Sequence, residues 1–274
     1  MTDMPLNRFR AGLKSEQTQY GVWLGIPDPS AAEIMAGAGF DWLVIDHEHG
    51  AFELRDVLSH LQAMAAYDIA PIVRPVNDDP VLLKKLCDVG AQTFIVPMID
   101  TPQQAEAIVN AVKYPPDGIR GMGTSLARAA RWNTVEDYIA KANDEMLVVA
   151  QAETITAIEN LDAIVTTPGI DGVFIGPSDL SASMGHVGNV SHPEVVDTVS
   201  DALRRIRAAG KHAGLLCLDR SMISHYEECG ANFVGVGVDT LLLGNAARQL
   251  AVQTKGRDES TDAITNGLPQ FPKS

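Results

Sequence analysis

The stretch GFDWLVIDHEHG, residues 39–50, carries a pattern that the chain repeats: a glycine, a short spacer, an apolar run of strand type, a polar cluster and a helix start. It returns in GAQTFIVPMIDTP from Gly90, GIDGVFIGPSDLS from Gly169, GKHAGLLCLDRS from Gly210 and GANFVGVGVDT from Gly230. Each opening glycine suits the left-handed position that closes a helix, where a Cβ would be strained. Helix starts are equally legible. Ser30 with Glu33 has the form of a capping box, Asp79 precedes Pro80, and Thr101-Pro102 is followed by Gln104.

Working outward from these units gives eight strands: Tyr20–Gly25, Trp42–Asp46, Pro71–Pro75, Thr93–Met98, Met146–Ala152, Gly172–Ile175, Ala213–Cys217 and Phe233–Val238. Helices are expected near 30–38, 53–66, 80–88, 102–112, 125–143, 154–165, 193–209, 219–228 and 240–252. Strands alternating with helices pair in parallel through right-handed crossovers, because a parallel return needs a long connection. Eight units in about 250 residues predict an α/β fold of the (β/α)8 TIM barrel type. A doubly wound sheet has fewer strands and often a glycine-rich first turn, and no G-x-G-x-x-G follows the first strand here. Residues 1–253 are expected to form a single catalytic domain. Residues 254–274 are polar and aperiodic and read as a tail, and the first 18 look similar.

The chain has 274 residues, 46% of them hydrophobic, which is enough for one large core. With 35 acidic against 21 basic residues the formal charge is −14, which disfavours nucleic acid and anionic membrane surfaces as partners. Apolar runs such as Phe94–Met98 fall far short of the roughly 20 residues of a membrane helix, and MTDMPLNRFRAGLKSEQ has no apolar signal core. Cys87, Cys217 and Cys229 are odd in number and have no adjacent His or Lys, so they read as buried thiols of a cytoplasmic protein.

In a barrel the C-terminal strand ends share one mouth, so polar residues just past the apolar runs become neighbours. These are Asp46, His47, Glu48 and His49 at the second strand, Arg74 at the third, Gln151 and Glu153 at the fifth, and Gly176, Pro177, Ser178 and Asp179 at the sixth. Glu153 and Asp179 stand at adjacent strand ends, about 4.8 Å apart in a sheet, where two carboxylates can share a cation. Such an oxygen pair suits Mg²⁺, Mn²⁺ or Co²⁺ better than zinc, while each acid alone also suits a helix cap.

His47 and His49 form an H-x-H like that of zinc hydrolase barrels, yet no histidine stands at the fifth or sixth strand end to complete such a site. His49 remains a candidate base or a surface loop residue. Arg74, in an otherwise apolar strand, needs an anionic partner, either a substrate or Glu48. No lysine stands in the mouth. Lys84, Lys85, Lys113 and Lys141 fall in helices, Lys14, Lys255 and Lys273 near the termini, and Lys211 before a strand, which argues against imine chemistry. There is no G-x-S-x-G elbow and no P-loop.

In combination these residues resemble the HpcH/HpaI aldolases, metal-dependent class II aldolases acting on 2-oxo acids. The resemblance runs through GFDWLVIDHEH (39–49), PIVRPVNDDPVLLKKLCDVGAQTFIVPMI (71–99), YPPDGIRGMGTSLARAARW (114–132), LVVAQAET (147–154), GIDGVFIGPSDLSASMG (169–185) and FVGVGVDT (233–240). It implies a barrel whose last helix is exchanged between subunits, a homohexamer, and a divalent metal (Mg²⁺, Mn²⁺ or Co²⁺) on Glu153 and Asp179, with no organic cofactor. It further implies Arg74 at the keto or enolate oxygen, and His49 in proton transfer, held by Asp46 and Asp88. Gln151 would lie on the substrate side, and amides around Gly176, Ser178 and Asp179 would receive the pyruvate carboxylate. Trp23 and Leu216 would line the aldehyde pocket. His47 stands where relatives often carry glycine, at the expected pocket rim.

The implied reaction joins or releases an aldehyde and pyruvate, or another 2-oxo acid, in aromatic or sugar-acid catabolism. Two alternatives remain on the sequence. One is a CoA-ester lyase of the citrate lyase β or malyl-CoA type, with Arg128 and Arg131 as its basic approach. The other is a barrel that binds an oxo acid without turning it over.

Overall fold

The computed structural model describes residues 3–15 and 17–255. Within them, parallel strands close into a barrel in the order β1 to β8. These are β1 (Gln19–Leu24), β2 (Trp42–Asp46), β3 (Ala70–Arg74), β4 (Thr93–Val96), β5 (Leu147–Ala152), β6 (Gly172–Ile175), β7 (His212–Leu216) and β8 (Phe233–Val238). The helices are α1 (Arg8–Leu13), α2 (Pro29–Ala36), α3 (Leu54–Ala63), α4 (Pro80–Val89), α5 (Pro102–Val112), α6 (Tyr138–Ala142), α7 (Ile155–Glu159), α8 (Leu161–Thr166), α9 (Pro177–Ser183), α10 (Pro193–Ala208), α11 (Ile223–Glu228) and α12 (Asp239–Lys255). No helix among these residues is long and apolar enough to cross a membrane.

The expected strands form within two residues of their bounds. The largest difference is β4, which stops at Val96 because Met98 turns into the left-handed region at φ 56°. The glycines opening the repeated units all have positive φ, Gly90 at 112° and Gly230 at 109° among them. Strand residues are buried on both faces, as in LVVAQA of β5, because one face meets the helices and the other fills the barrel. Ser30 does not cap α2: the cap is Asp28, whose side chain accepts from the Ser30 amide with Pro29 in the first turn. Thr101 and Gln104 form the expected capping box at α5.

Three expectations are corrected. The N-terminal segment is no tail, since α1 plugs the base of the barrel. Phe9 and Leu13, four residues apart on one helical face, are both buried, and Phe9 meets Trp42 and Phe233 edge-on at 6.0 and 5.5 Å between ring centroids. Six residues are too few to show a helical period in the sequence. The helix expected over 125–143 is instead a 3₁₀ turn at Arg128–Ala130, a left-handed run at Arg131, Trp132 and Asn133, and α6. Arg128 pins that segment by donating to the Val89 and Leu61 carbonyls at the ends of α4 and α3. The helix expected over 154–165 breaks at Asn160 into α7 and α8. Of the expected tail, Thr254 and Lys255 belong to α12, and 256–274 lie outside the described residues.

Candidate active site

The mouth is assembled from β2, β3, β5 and the turn into α9. Arg74 ends β3 with its guanidinium buried and forked on Asp46 at the end of β2: Nε donates to Oδ1 at 2.8 Å and Nη2 to Oδ2 at 2.6 Å. Nη1 lies 3.1 Å from Glu48 Oε2. Parallel register places Asp46 directly beside Arg74, which makes this bidentate pair local to two neighbouring strands. Asp46 Oδ1 also accepts the Glu48 and His49 amides at 3.2 and 3.3 Å, fixing the turn after β2. The Arg74 guanidinium stands 5.8 Å from the Trp23 ring centroid.

Glu153 lies beyond the end of β5 and is 2% exposed. Its Oε1 accepts the Met98 amide at 2.9 Å, which the left-handed turn at Met98 supplies, and its Oε2 accepts Gln151 Nε2 at 2.6 Å. It makes no ion pair with a basic side chain among the described residues. Burial pushes its carboxyl up to about 7 despite those two hydrogen bonds, and the negative charges of Glu48 and Asp179 push the same way. Glu48 is raised as well, chiefly by burial and against the pull of Arg74. Gln151, 1% exposed, leaves its Oε1 without a hydrogen-bond partner. An uncompensated buried acid beside an unpaired amide oxygen is costly unless something positive completes it.

The structure thus brings together Asp46, Arg74, Gln151, Glu153 and Asp179. Asp179 lies in the first turn of α9, close enough for its charge to act on both Glu153 and Glu48. Trp23 and Leu216 also meet: a Cβ on Gly235 of β8 would lie 2.5 Å from the Trp23 ring and 3.0 Å from Leu216 Cδ1. Gly176 takes a different role from the expected one. Its amide donates to the Ala152 carbonyl at 3.2 Å, and its missing side chain makes room for Glu153 Oε2, which a Cβ would meet at 2.5 Å. Ser178 and Asp179 keep first-turn amides that have no partner within the helix.

Two expected residues are placed differently from the expectation, His49 on the exposed rim of the mouth beside Glu48 and Asp88 away from it. His49 is held by Asp46 only through its backbone; its side chain is 67% exposed, with Nε2 3.8 Å from Glu48 Oε2. Asp88 stands in the last turn of α4, at the opposite end of the barrel from the mouth, and pairs with buried Arg120 at 3.0 Å. Helices run back from the mouth, so the end of α4 belongs to the base. His47, expected at the rim, is buried, and that burial lowers its pKa. Sequence reasoning misses Met98 and gives Glu48 only as a partner of Arg74. A left-handed methionine leaves no mark in a sequence. Glu48 is legible as the second acid of the D-x-E at 46–48, but the H-x-H interleaved with it draws the reading to the histidines.

Comparisons with known proteins give the family. A family model described as HpcH/HpaI aldolase/citrate lyase matches residues 19–246. The chain belongs to this family. A hydroxypyruvate/pyruvate aldolase of Pseudomonas aeruginosa is 52% identical over 254 residues, covering 93% of this chain and 95% of the relative. A 4-hydroxy-2-oxo-heptane-1,7-dioate aldolase of Klebsiella pneumoniae is 51% identical over 257 residues, 93% and 97% of the two chains. The crystal structure of an HpcH/HpaI family protein from Burkholderia cenocepacia superimposes with a TM-score of 0.86 at 36% identity, covering 91% of this chain and 99% of that one.

Proposed function

We propose that this chain is a divalent-metal-dependent class II aldolase that cleaves or forms 4-hydroxy-2-oxo acids, releasing or joining an aldehyde and pyruvate or a related 2-oxo acid. The observation that carries this reading is Glu153, buried without a basic partner beside Gln151 Oε1 and Asp179, and facing an arginine already fixed by Asp46 and Glu48. The residues fit a hard divalent cation such as Mg²⁺, Mn²⁺ or Co²⁺, because every donor there is an oxygen. Glu153 and Asp179 would hold it, and it would supply Lewis acidity to the keto oxygen of the oxo acid.

The chain's own groups do the rest. The Ser178 and Asp179 amides bind and orient the carboxylate end of the oxo acid, and Gln151 lies on the substrate side, holding Glu153 through its Nε2. His49 takes the proton of the C4 hydroxyl; the C3–C4 bond breaks, the aldehyde leaves, and the electron pair passes into the enolate of pyruvate. Arg74 holds its charge beside the developing oxyanion in an orientation that Asp46 fixes in advance, so little reorganisation accompanies bond breaking. Return of a proton to C3 gives pyruvate. Trp23 and Leu216 form the apolar wall on the aldehyde side.

We read residues 1–253 as one catalytic unit in a cytoplasmic homohexamer. Support for exchange of the last helix between subunits comes from α12, which buries only Asp239 of its own residues while Leu243 and Leu250 stand exposed. The CoA-ester lyase reading is less favoured, since a citrate lyase β chain shares only 15% identity with this sequence, whereas the aldolase relatives share more than half. The test is pyruvate release from a panel of 4-hydroxy-2-oxo acids by chelator-treated protein, before and after Mn²⁺, Mg²⁺ or Co²⁺. Restored release is expected. Release unaffected by chelation, or turnover of CoA esters alone, would overturn the reading.

A further inference from the structure

Beyond α9, the connection from residue 184 to 192 and the first turn of α10 hold a second cluster of ligating side chains that the reaction does not use. His186, His192 and Glu194 each offer a donor atom, and these atoms lie within 4.8 Å of one another, the sole such trio of His, Cys, Asp or Glu among the described residues. His186 Nε2 is 2.8 Å from Glu194 Oε2, and the two imidazoles stack with centroids 3.6 Å apart and planes 15° apart. The backbone beneath them is already set. Gly185 and Gly188 take φ of 84° and 73°, the His186 amide donates to the Ser181 carbonyl at 2.7 Å, and the Asn189 and His192 amides close successive turns at 2.9 and 3.1 Å. Ligands carried on a fixed loop do not have to order the chain when a metal arrives.

From this geometry we propose that His186, His192 and Glu194 form a second metal site on the rim of the barrel, selective for borderline cations, with Zn²⁺ as its natural class. Two imidazoles and one carboxylate make a donor set suited to zinc, copper, nickel or cobalt, and they contrast with the oxygen-only donors at Glu153 and Asp179. In tetrahedral coordination with bonds of about 2.0 Å, donor atoms lie about 3.3 Å apart, so the trio contracts by no more than about 1.5 Å on loading. Parallel imidazole planes cannot both aim a lone pair at one point, so one ring turns about its soft terminal torsion, as partly exposed side chains can. The cation takes the place of the 2.8 Å contact between His186 Nε2 and Glu194 Oε2 and of the weak 3.3 Å bond that His192 Nδ1 accepts from the Glu194 amide. The two sites share no residue: about 6 Å of helix runs from Asp179 to the end of α9, and His186 stands three residues beyond it.

The experiment titrates the metal-stripped full chain with Zn²⁺ and then with Cu²⁺, comparing wild type, H186Q/H192N and E153Q/D179N. The amide introduced by H186Q retains a hydrogen bond to Glu194, and asparagine, as introduced by H192N, is a good helix cap, so the double variant keeps the loop. Wild type and E153Q/D179N are each expected to hold a zinc that H186Q/H192N binds at least about 100-fold more weakly, since a direct ligand is worth no less than its supporting groups. Bound Cu²⁺ should show nitrogen hyperfine splitting in its EPR spectrum, lost in H186Q/H192N and kept in E153Q/D179N. Equal zinc stoichiometry and an unchanged nitrogen signature in H186Q/H192N would overturn the site, as would loss of both in E153Q/D179N. None of these readouts uses turnover, so failure here is distinct from failure of the aldolase reading.

Discussion

The two ends of this barrel are built from the same strands to opposite rules. At the base, α1 closes the barrel with Phe9 against Trp42 and Phe233, and the Trp42 and Asn7 side chains beside it are paired, although Arg10 Nε in α1 is not. The Trp42 indole donates to the Gln19 carbonyl at 3.1 Å, and Asn7 donates to Thr93 Oγ1 and the Glu145 carbonyl. At the mouth, Gln151 Oε1 and the Trp23 indole nitrogen have no partner, Met98 is left-handed, and Glu153 is an acid buried without a basic partner. One end is packed for stability. The other is left incomplete in a way that a bound cation and an oxo acid would complete.

That contrast can be broken by substitution. The largest effect is expected for Arg74→Ala, which should lower kcat for pyruvate release by about 10² to 10³-fold, the usual cost of removing an oxyanion donor. It should also lower the melting temperature, because Asp46 and Glu48 are left as buried charges. Retained turnover would remove Arg74 from the chemistry. At the base, Phe9→Ala should cost about 3–5 kcal/mol in denaturant unfolding with kcat nearly unchanged. A fall in kcat as large as that of Arg74→Ala would show that the two ends are not independent.

Glu153→Gln sharpens the comparison because its expected sign is unusual. The folded carboxyl titrates near 7, above its ordinary 4.5, so the metal-free folded state holds a proton that the unfolded state has released. Glu153 in metal-free wild type should therefore contribute a loss of up to about 3 kcal/mol of stability as pH rises from 4.5 through 7, and Glu153→Gln should remove that contribution and leave the smaller one of Glu48. The variant is accommodated if the Gln151 amide turns its unpaired oxygen toward it. Chemical unfolding of both proteins at about pH 5 and pH 8, on either side of the folded titration, reads that difference; a wild-type-minus-variant slope of the opposite sign would contradict the burial argument. Smallest is Gly176→Ala, expected to cost about 1–3 kcal/mol by pressing its Cβ on Glu153, with a weaker Mn²⁺ affinity as the second readout. Unchanged affinity would mean that Glu153 is not a ligand.

The barrel is legible in the sequence because each unit carries its own punctuation: a glycine that closes a helix, an apolar run, and a capping residue. The mouth is legible where strand ends set it, at Asp46, Arg74, Gln151, Glu153 and Asp179. Three things are not. The alanine- and arginine-rich segment before α6 reads as helix, yet its conformation is set by Arg128 reaching the ends of two other helices, a tertiary contact that local propensity does not encode. Asp88 lies in the last turn of a helix that runs away from the mouth, and only the fold reveals that direction. The role of Gly176 as space for a carboxylate depends on the register of β5 beside β6 and on the side-chain direction of Glu153.

The most direct measurement follows Mn²⁺ binding and pyruvate release together, on the same metal-free samples of wild type and Glu153→Gln supplied with a 4-hydroxy-2-oxo acid. The account predicts that binding and turnover rise in step in wild type and that both fail in the variant. Full turnover in the presence of chelator, or Mn²⁺ binding to the variant as tight as to wild type, would contradict it.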